Sequence, residues 1–257
     1  QDLIRLGMKK KMKHGKKILA LLVCVAMTAV LAVGCGSSKS ALDTIKEKGT
    51  LVWGTNAAFP PFESKDGDGN VVGVDAEIAK AIADELGVKL VVEDMEFDSL
   101  PAALKSGKID IIGAGYTEND ERLQEMDFSS KYFTAKQIVV VKKGNKAITD
   151  KDSLAGKKIG VQTGTTGMND AAPVVTGEDN IVGYNNGSLA VEALLSGKVD
   201  AVIIDNNPAK EYKDQHEEEY AIAVRKGNKE LQDAINKALK EIKEDGSFQK
   251  VVEQYVK

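Results

Sequence analysis

Cysteine and histidine are nearly absent: the 257 residues hold only Cys24, Cys35, His14 and His216. Both cysteines lie near the N-terminus, so they supply no zinc cluster, redox CxxC pair or disulfide-stapled core. Two histidines are equally poor material for a metal centre or a nucleophilic triad. Aromatic residues make up only 5%, against 42% hydrophobic and 29% charged. That balance excludes collagen-like, disulfide-framework and disordered chains. The function is expected to run without cysteine or histidine chemistry, and without a metal or cofactor.

A hydrophobic run long enough for a stable membrane span is also missing. The apolar stretch 18–33 is 16 residues, short of the roughly 20 that a spanning helix needs. It follows the basic stretch 9–17, and the pair reads as an export signal. It ends Leu31-Ala32-Val33-Gly34-Cys35, followed by Gly36-Ser37-Ser38-Lys39-Ser40. Small residues before a cysteine, with a Gly/Ser tether after it, resemble a bacterial lipobox. The resemblance implies a signal peptide over 1–34, cleavage before Cys35, lipid on that thiol, and a linker to residue 40. Residues 1–7 precede the candidate starts Met8 and Met12 and read as a mis-placed start.

Setting 1–34 aside changes the charge. That segment holds seven of the 35 Lys/Arg and one of the 39 Asp/Glu, so the remainder carries a net −10. A chain that acidic is a poor partner for nucleic acid and for anionic lipid. The membrane link is expected to be the lipid alone.

The remaining 223 residues suffice for one large or two modest domains. Helix and strand signals alternate along them. Ile78, Ala81, Ile82 and Leu86 keep helical spacing after Asp75, which is placed to cap that helix, and Gly87 stops it. Strands are expected at 51–53, 88–92, 109–112, 139–141, 158–161 and 201–204. Leu231, Ile235, Ala238, Leu239 and Ile242 share one helix face, and Asp245-Gly246 separates a last short helix. This alternation predicts an α/β architecture with mainly parallel strands. An internal echo supports two similar lobes. The stretch from Ala103 through Ser106-Gly107-Lys108 to Asp110 recurs as Ala193 through Ser196-Gly197-Lys198 to Asp200. Ligands of such sheets sit beyond the carboxyl ends of the strands.

The loops there carry an ordered set of motifs. Gly54-Thr55-Asn56-Ala57-Ala58-Phe59-Pro60-Pro61-Phe62-Glu63 is followed by Gly73-Val74-Asp75 and Phe97-Asp98-Ser99-Leu100. Then come Thr117, Glu121-Arg122, Met126-Asp127-Phe128-Ser129, Gly160-Val161-Gln162-Thr163-Gly164-Thr165-Thr166 and Ala201-Val202-Ile203-Ile204-Asp205. Tyr220-Ala221-Ile222-Ala223-Val224, Lys226-Gly227-Asn228 and Asp245-Gly246-Ser247-Phe248 close the series. The set resembles, over nearly all of 45–257, the polar amino-acid-binding proteins of bacterial ABC importers, family 3 of the extracellular solute-binding proteins.

The resemblance implies a two-lobed periplasmic-binding-protein type II clamshell. Lobe 1 would span 41–133 plus 219–257 and lobe 2 134–218, with two crossing strands as hinge and the ligand between the lobes. A free amino acid loses water from both its carboxylate and its ammonium there, so each needs a charged partner. By the resemblance Arg122 forks onto the carboxylate, helped by Thr117 and by the amides around Thr165 and Thr166. Asp205 and the Gly115 carbonyl meet the ammonium. Phe59 and Phe97 sandwich the ligand side chain, whereas Phe62 and Phe128 are core. Side-chain selection falls to Asn56, Gln162 and either Glu63 or Asp75. Long cationic side chains, arginine or lysine, lead, with glutamine next.

The implied partners are a free amino acid, an ABC permease and its ATPase, and the membrane through Cys35, with the protein a monomer. Two other classes share the fold: a sensor domain, and a dehydratase of small carboxylates in which a cleft acid protonates a leaving hydroxyl. The sequence departs from the family once. Only residues 213–219 bridge Tyr212 to the return strand at Tyr220, which puts the second hinge crossing in question.

Overall fold

The computed structural model describes residues 39–175, 177–206 and 216–256; Cys35 and the segment read as signal peptide lie outside them. Among the described residues, no helix is long and apolar enough to cross a membrane. The described chain opens with α1 (Ala41–Lys48), β1 (Thr50–Thr55), three short strands β2 (Ala58–Phe59), β3 (Glu63–Lys65) and β4 (Val71–Val72), α2 (Val74–Leu86) and β5 (Lys89–Asp94). It continues through α3 (Leu100–Ser106), β6 (Ile111–Ile112), α4 (Asp120–Glu125), β7 (Met126–Phe128) and the long β8 (Phe133–Val140). Next come β9 (Ile159–Gln162), α5 (Thr166–Ala171), β10 (Ile181–Tyr184), α6 (Gly187–Ser196) and β11 (Ala201–Asp205). Strands β12 (His216–Tyr220) and β13 (Ala223–Arg225) lead to α7 (Lys229–Glu244) and α8 (Ser247–Tyr255).

Two five-stranded sheets organise two lobes, ordered β5-β1-β6-β13-β7 and β10-β9-β11-β8-β12. Each is mixed rather than mainly parallel. β1 is parallel to β5 and β6, and β9 to β10 and β11, whereas β13 and β8 run antiparallel to both of their neighbours. The reason is connectivity. The chain leaves the first sheet after β7, crosses on β8, returns on β12 and re-enters at β13, so the strands on either side of each crossing oppose one another. β8 and β12 pair from Phe133↔Tyr220 to Gln137↔His216, which supplies the second crossing despite the short bridge. Residues 213–215 of that bridge lie outside the described residues.

Helices cover both faces of the sheets, so the central strands read as continuous apolar runs. Leu51 and Trp53 pack with Ile45, Ile82 and Leu239 on one face of the first sheet; Ile109, Ile112, Leu100 and Phe128 fill the other. Close packing on that second face requires Gly54, where a Cβ would lie 2.3 Å from the Ile109 side chain.

The echo is structural. In both copies the glycine after the helix, Gly107 or Gly197, adopts a left-handed conformation (φ 78° and 77°) that closes the helix end. In both, the serine hydroxyl donates to the Ala103 or Ala193 carbonyl. In both, the aspartate pairs its backbone and side chain with the neighbouring parallel strand, Asp110 with Val52 and Asp200 with Lys158.

Two local expectations change. β8 begins six residues before Val139, because the polar residues Lys136 and Gln137 belong to a strand that crosses between lobes. Asp75 does not cap α2. Gly73 holds that position at φ 130°, and the first helical amides donate instead to the Pro61 and Phe62 carbonyls. With those donors satisfied, the Asp75 carboxylate turns inward and is fully buried.

Candidate ligand cleft

A cleft between the lobes, about 470 Å³ of atom-free space with its open mouth included, collects the loops that follow the parallel strands. Asn56 comes just after β1, Ala114, Gly115 and Thr117 after β6, Gln162 to Thr166 from the end of β9 into α5, and Asp205 from the end of β11. Eleven of the twelve candidate site residues named from sequence line it: Asn56, Phe59, Glu63, Phe97, Gly115, Thr117, Arg122, Gln162, Thr165, Thr166 and Asp205. Asp75 does not.

Arg122 owes its place to the α4 N-terminus, where the Asn119 side chain accepts the Arg122 N–H at 2.9 Å. Its guanidinium carbon stands 3.9 Å from the Tyr116 ring centroid and 5.7 Å from that of Phe97. One terminal nitrogen donates to the Thr117 carbonyl at 2.7 Å and the other to the Gly164 carbonyl of the second lobe at 2.9 Å. Stacking and two charged hydrogen bonds hold the fork in one plane. Gln162 donates to Asn56 at 3.0 Å, and Asn185 to Glu96 at 3.1 Å, so these bonds join the lobes together with that of Arg122 to Gly164.

The opposite wall is acidic. Asp205 accepts from Gln137 at 2.9 Å and from the Tyr220 hydroxyl. Behind it Asp75 accepts the Gly115 N–H and the Tyr132 hydroxyl, each at 2.7 Å. Gly115 needs its φ of 52° and its lack of side chain, because a Cβ would lie 3.0 Å from the Phe59 ring. Asp75 therefore shapes the wall without touching the cleft. Glu63, on β3, lines the cleft with only 1% of its surface exposed, and neither carboxylate oxygen has a donor. Burial holds its carboxyl well above the usual carboxylate range, and the charges of Asp75 and then Asp205 push it further. Burial likewise raises Asp75 to about 6, against the Gly115, Tyr132 and Glu63 bonds that lower it.

Thr165 caps α5, accepting the Met168 N–H and donating its hydroxyl to the Gln162 carbonyl at 2.7 Å. Gln137 donates to the Thr166 hydroxyl at 3.3 Å. Sequence reasoning missed Gln137, Ala114, Ile203 and Ile204. An amide directly before the apolar run Ile138-Val139-Val140 was the available signal for Gln137; the two isoleucines read simply as strand core.

The family model for bacterial extracellular solute-binding proteins, family 3, matches residues 51–257. The chain belongs to this family. It is similar to the arginine-binding extracellular protein ArtP of Bacillus subtilis, 38% identical over 93% of this chain and 98% of that protein. It is also similar to a probable histidine-binding protein of Neisseria gonorrhoeae, 36% identical over 95% and 96%. An ancestral arginine-binding protein bound to arginine superposes with a TM-score of 0.74 and 46% identity, over 81% of this chain and 99% of that one. An ancestral arginine-binding protein bound to glutamine superposes with a TM-score of 0.74 and 45% identity, over 80% of this chain and 97% of that one. Family and relatives are binding proteins, so this solute-binding protein is not an enzyme, and the family places it outside the cytoplasm.

Proposed function

We propose that this solute-binding protein captures a free amino acid with a long cationic side chain, arginine ahead of lysine and glutamine next, and delivers it to an ABC permease and its ATPase. The observation that carries this reading is the charge balance of the cleft. Among the lining residues Arg122 is the one cation, facing two carboxyl groups, Asp205 and Glu63. A zwitterion matches Arg122 with its carboxylate and Asp205 with its ammonium. Glu63 then remains, its buried oxygens without a donor and suited to a positive side chain. Phe59 and Phe97 flank an aliphatic stem, Thr117, Thr165 and Thr166 add polar contacts, and the Asn56–Gln162 amide pair serves a guanidinium or a neutral amide. Among the similar proteins, ArtP and an ancestral protein bind arginine and another ancestral structure holds glutamine, which supports both as candidates. Lipid on Cys35 would hold the protein at the membrane beside its permease.

A thermal-shift panel over the twenty amino acids tests this. Arginine is expected to give the largest stabilisation, about 2.7 kcal/mol at 100 times its dissociation constant. Glutamate or aspartate giving the largest shift would overturn it.

A further inference from the structure

We infer that Glu63 reads the charge of the ligand side chain by exchanging a proton for it. It is a neutral acid beside Asp75 when the cleft holds water or a neutral side chain, and a carboxylate when a guanidinium or ammonium side chain enters. The inference rests on the amino-acid reading above and deepens it.

The geometry leaves Glu63 few alternatives. Its two oxygens are buried and without a donor. The donors around it are committed to other acids: the Tyr132 hydroxyl and Gly115 N–H to Asp75, the Tyr220 hydroxyl and Gln137 amide to Asp205. The groups facing Glu63 are thus Asp75 from α2, Asp205 from β11, Tyr132 from the segment before β8 and Tyr220 from β12. The cation of the cleft, Arg122, is bonded to the Thr117 and Gly164 carbonyls and stacked on Tyr116. Burial, then the charges of Asp75 and Asp205, disfavour a charge on Glu63. Ionised carboxylates are acceptors only, so none of them can serve as another's donor. Three ionised carboxylates packed together would repel one another. A bound cation reverses the balance, since it supplies both donors and positive charge. The O–H bond of Glu63 breaks, the proton passes to solvent, and the carboxylate pairs with the ligand.

The linkage has a definite sign. Where Glu63 is protonated in the empty cleft, arginine binding must expel a proton, so arginine affinity rises with pH by up to tenfold per unit. Glutamine binding expels none at this residue. Calorimetry in buffers of different ionisation enthalpy, from about pH 5 to about pH 8, measures the released protons directly. The expected result is close to one proton released per arginine at the acidic end and fewer for glutamine. Glu63→Gln should abolish the release and lower arginine affinity at least tenfold more than glutamine affinity. His216 is the one histidine in the sequence after residue 34, and a histidine side chain ordinarily ionises in this pH range. His216→Asn should keep the release. Arginine binding without proton release, or release that survives Glu63→Gln, overturns the inference and leaves the amino-acid reading standing. Failure to bind arginine at any pH overturns both.

Discussion

At the scale of single residues, chemistry was legible where a motif fixed both residue type and place. Arg122 follows an Asn cap by three residues, and that spacing alone sets its backbone at the cleft. Arg122→Ala should weaken ligand binding by about 2–5 kcal/mol, because it leaves the ligand carboxylate without its fork. Calorimetry showing affinity within twofold of the parent would remove Arg122 from the site. Burial was not legible, and it decides the roles of the two acids. Glu63 and Asp75 look interchangeable in sequence, yet one lines the cleft and the other braces Gly115 from behind. The fully buried Asp75 has a testable pH signature. Its folded pKa of about 6 lies above the ordinary aspartate value of 3.8, so the folded state holds the proton more tightly than the unfolded chain. Its contribution is fully present below about pH 4 and lost as pH rises to about 6, a change of about 2–4 kcal/mol. Asp75→Asn removes that slope. In urea denaturation the variant should therefore fall short of the parent by more at about pH 4 than at about pH 7. An equal shortfall at both would show that Asp75 is not the source.

At the scale of elements, the repeated Ser-Gly-Lys units were readable because helix stop, apolar strand and aspartate fall at fixed spacing. The mixed sheets were not, because nothing local tells a strand which way its neighbour runs. Nor could a strand of mixed polarity such as 133–140 announce itself by alternation, since it changes lobes along its length. The two copies of the repeat also differ in a way only packing reveals. Asp110 is buried and takes the Val52 N–H at 2.8 Å and the Lys48 ammonium at 2.6 Å, whereas Asp200 is exposed and takes only the Lys158 N–H. Asp110→Ala leaves the part-buried Val52 amide and the Lys48 ammonium without their side-chain acceptor and should cost about 1–3 kcal/mol. Asp200→Ala, where water can replace the carboxylate, should cost less than about 1 kcal/mol. Equal losses in urea denaturation would mean that burial does not separate the two copies.

For the whole molecule, the proposed function depends on how closely two lobes approach, and sequence carries that only as small residues. Gly164 is the clearest case. It sits at φ 79°, its carbonyl receives Arg122, and a Cβ there would lie 3.0 Å from the Asp98 Cβ of the opposite lobe. A Gly/Thr loop reads as an ordinary turn until the facing lobe is known. Gly164→Ala should act in two ways: strain from a left-handed residue, about 1 kcal/mol, and a wedge that keeps the lobes from meeting. The two effects separate with a matched control. Gly144 has a similar φ of 84° and lies in the same lobe, but a Cβ there meets nothing within 4 Å. Gly144→Ala should therefore lower the melting temperature by a similar amount and leave ligand affinity alone. Gly164→Ala should lower affinity at least tenfold as well, because ligand contacts from both lobes form only when the lobes meet. If calorimetry finds the same affinity for both variants, closure does not run through Gly164, and the Asn56–Gln162 and Glu96–Asn185 bonds become the contacts that set it.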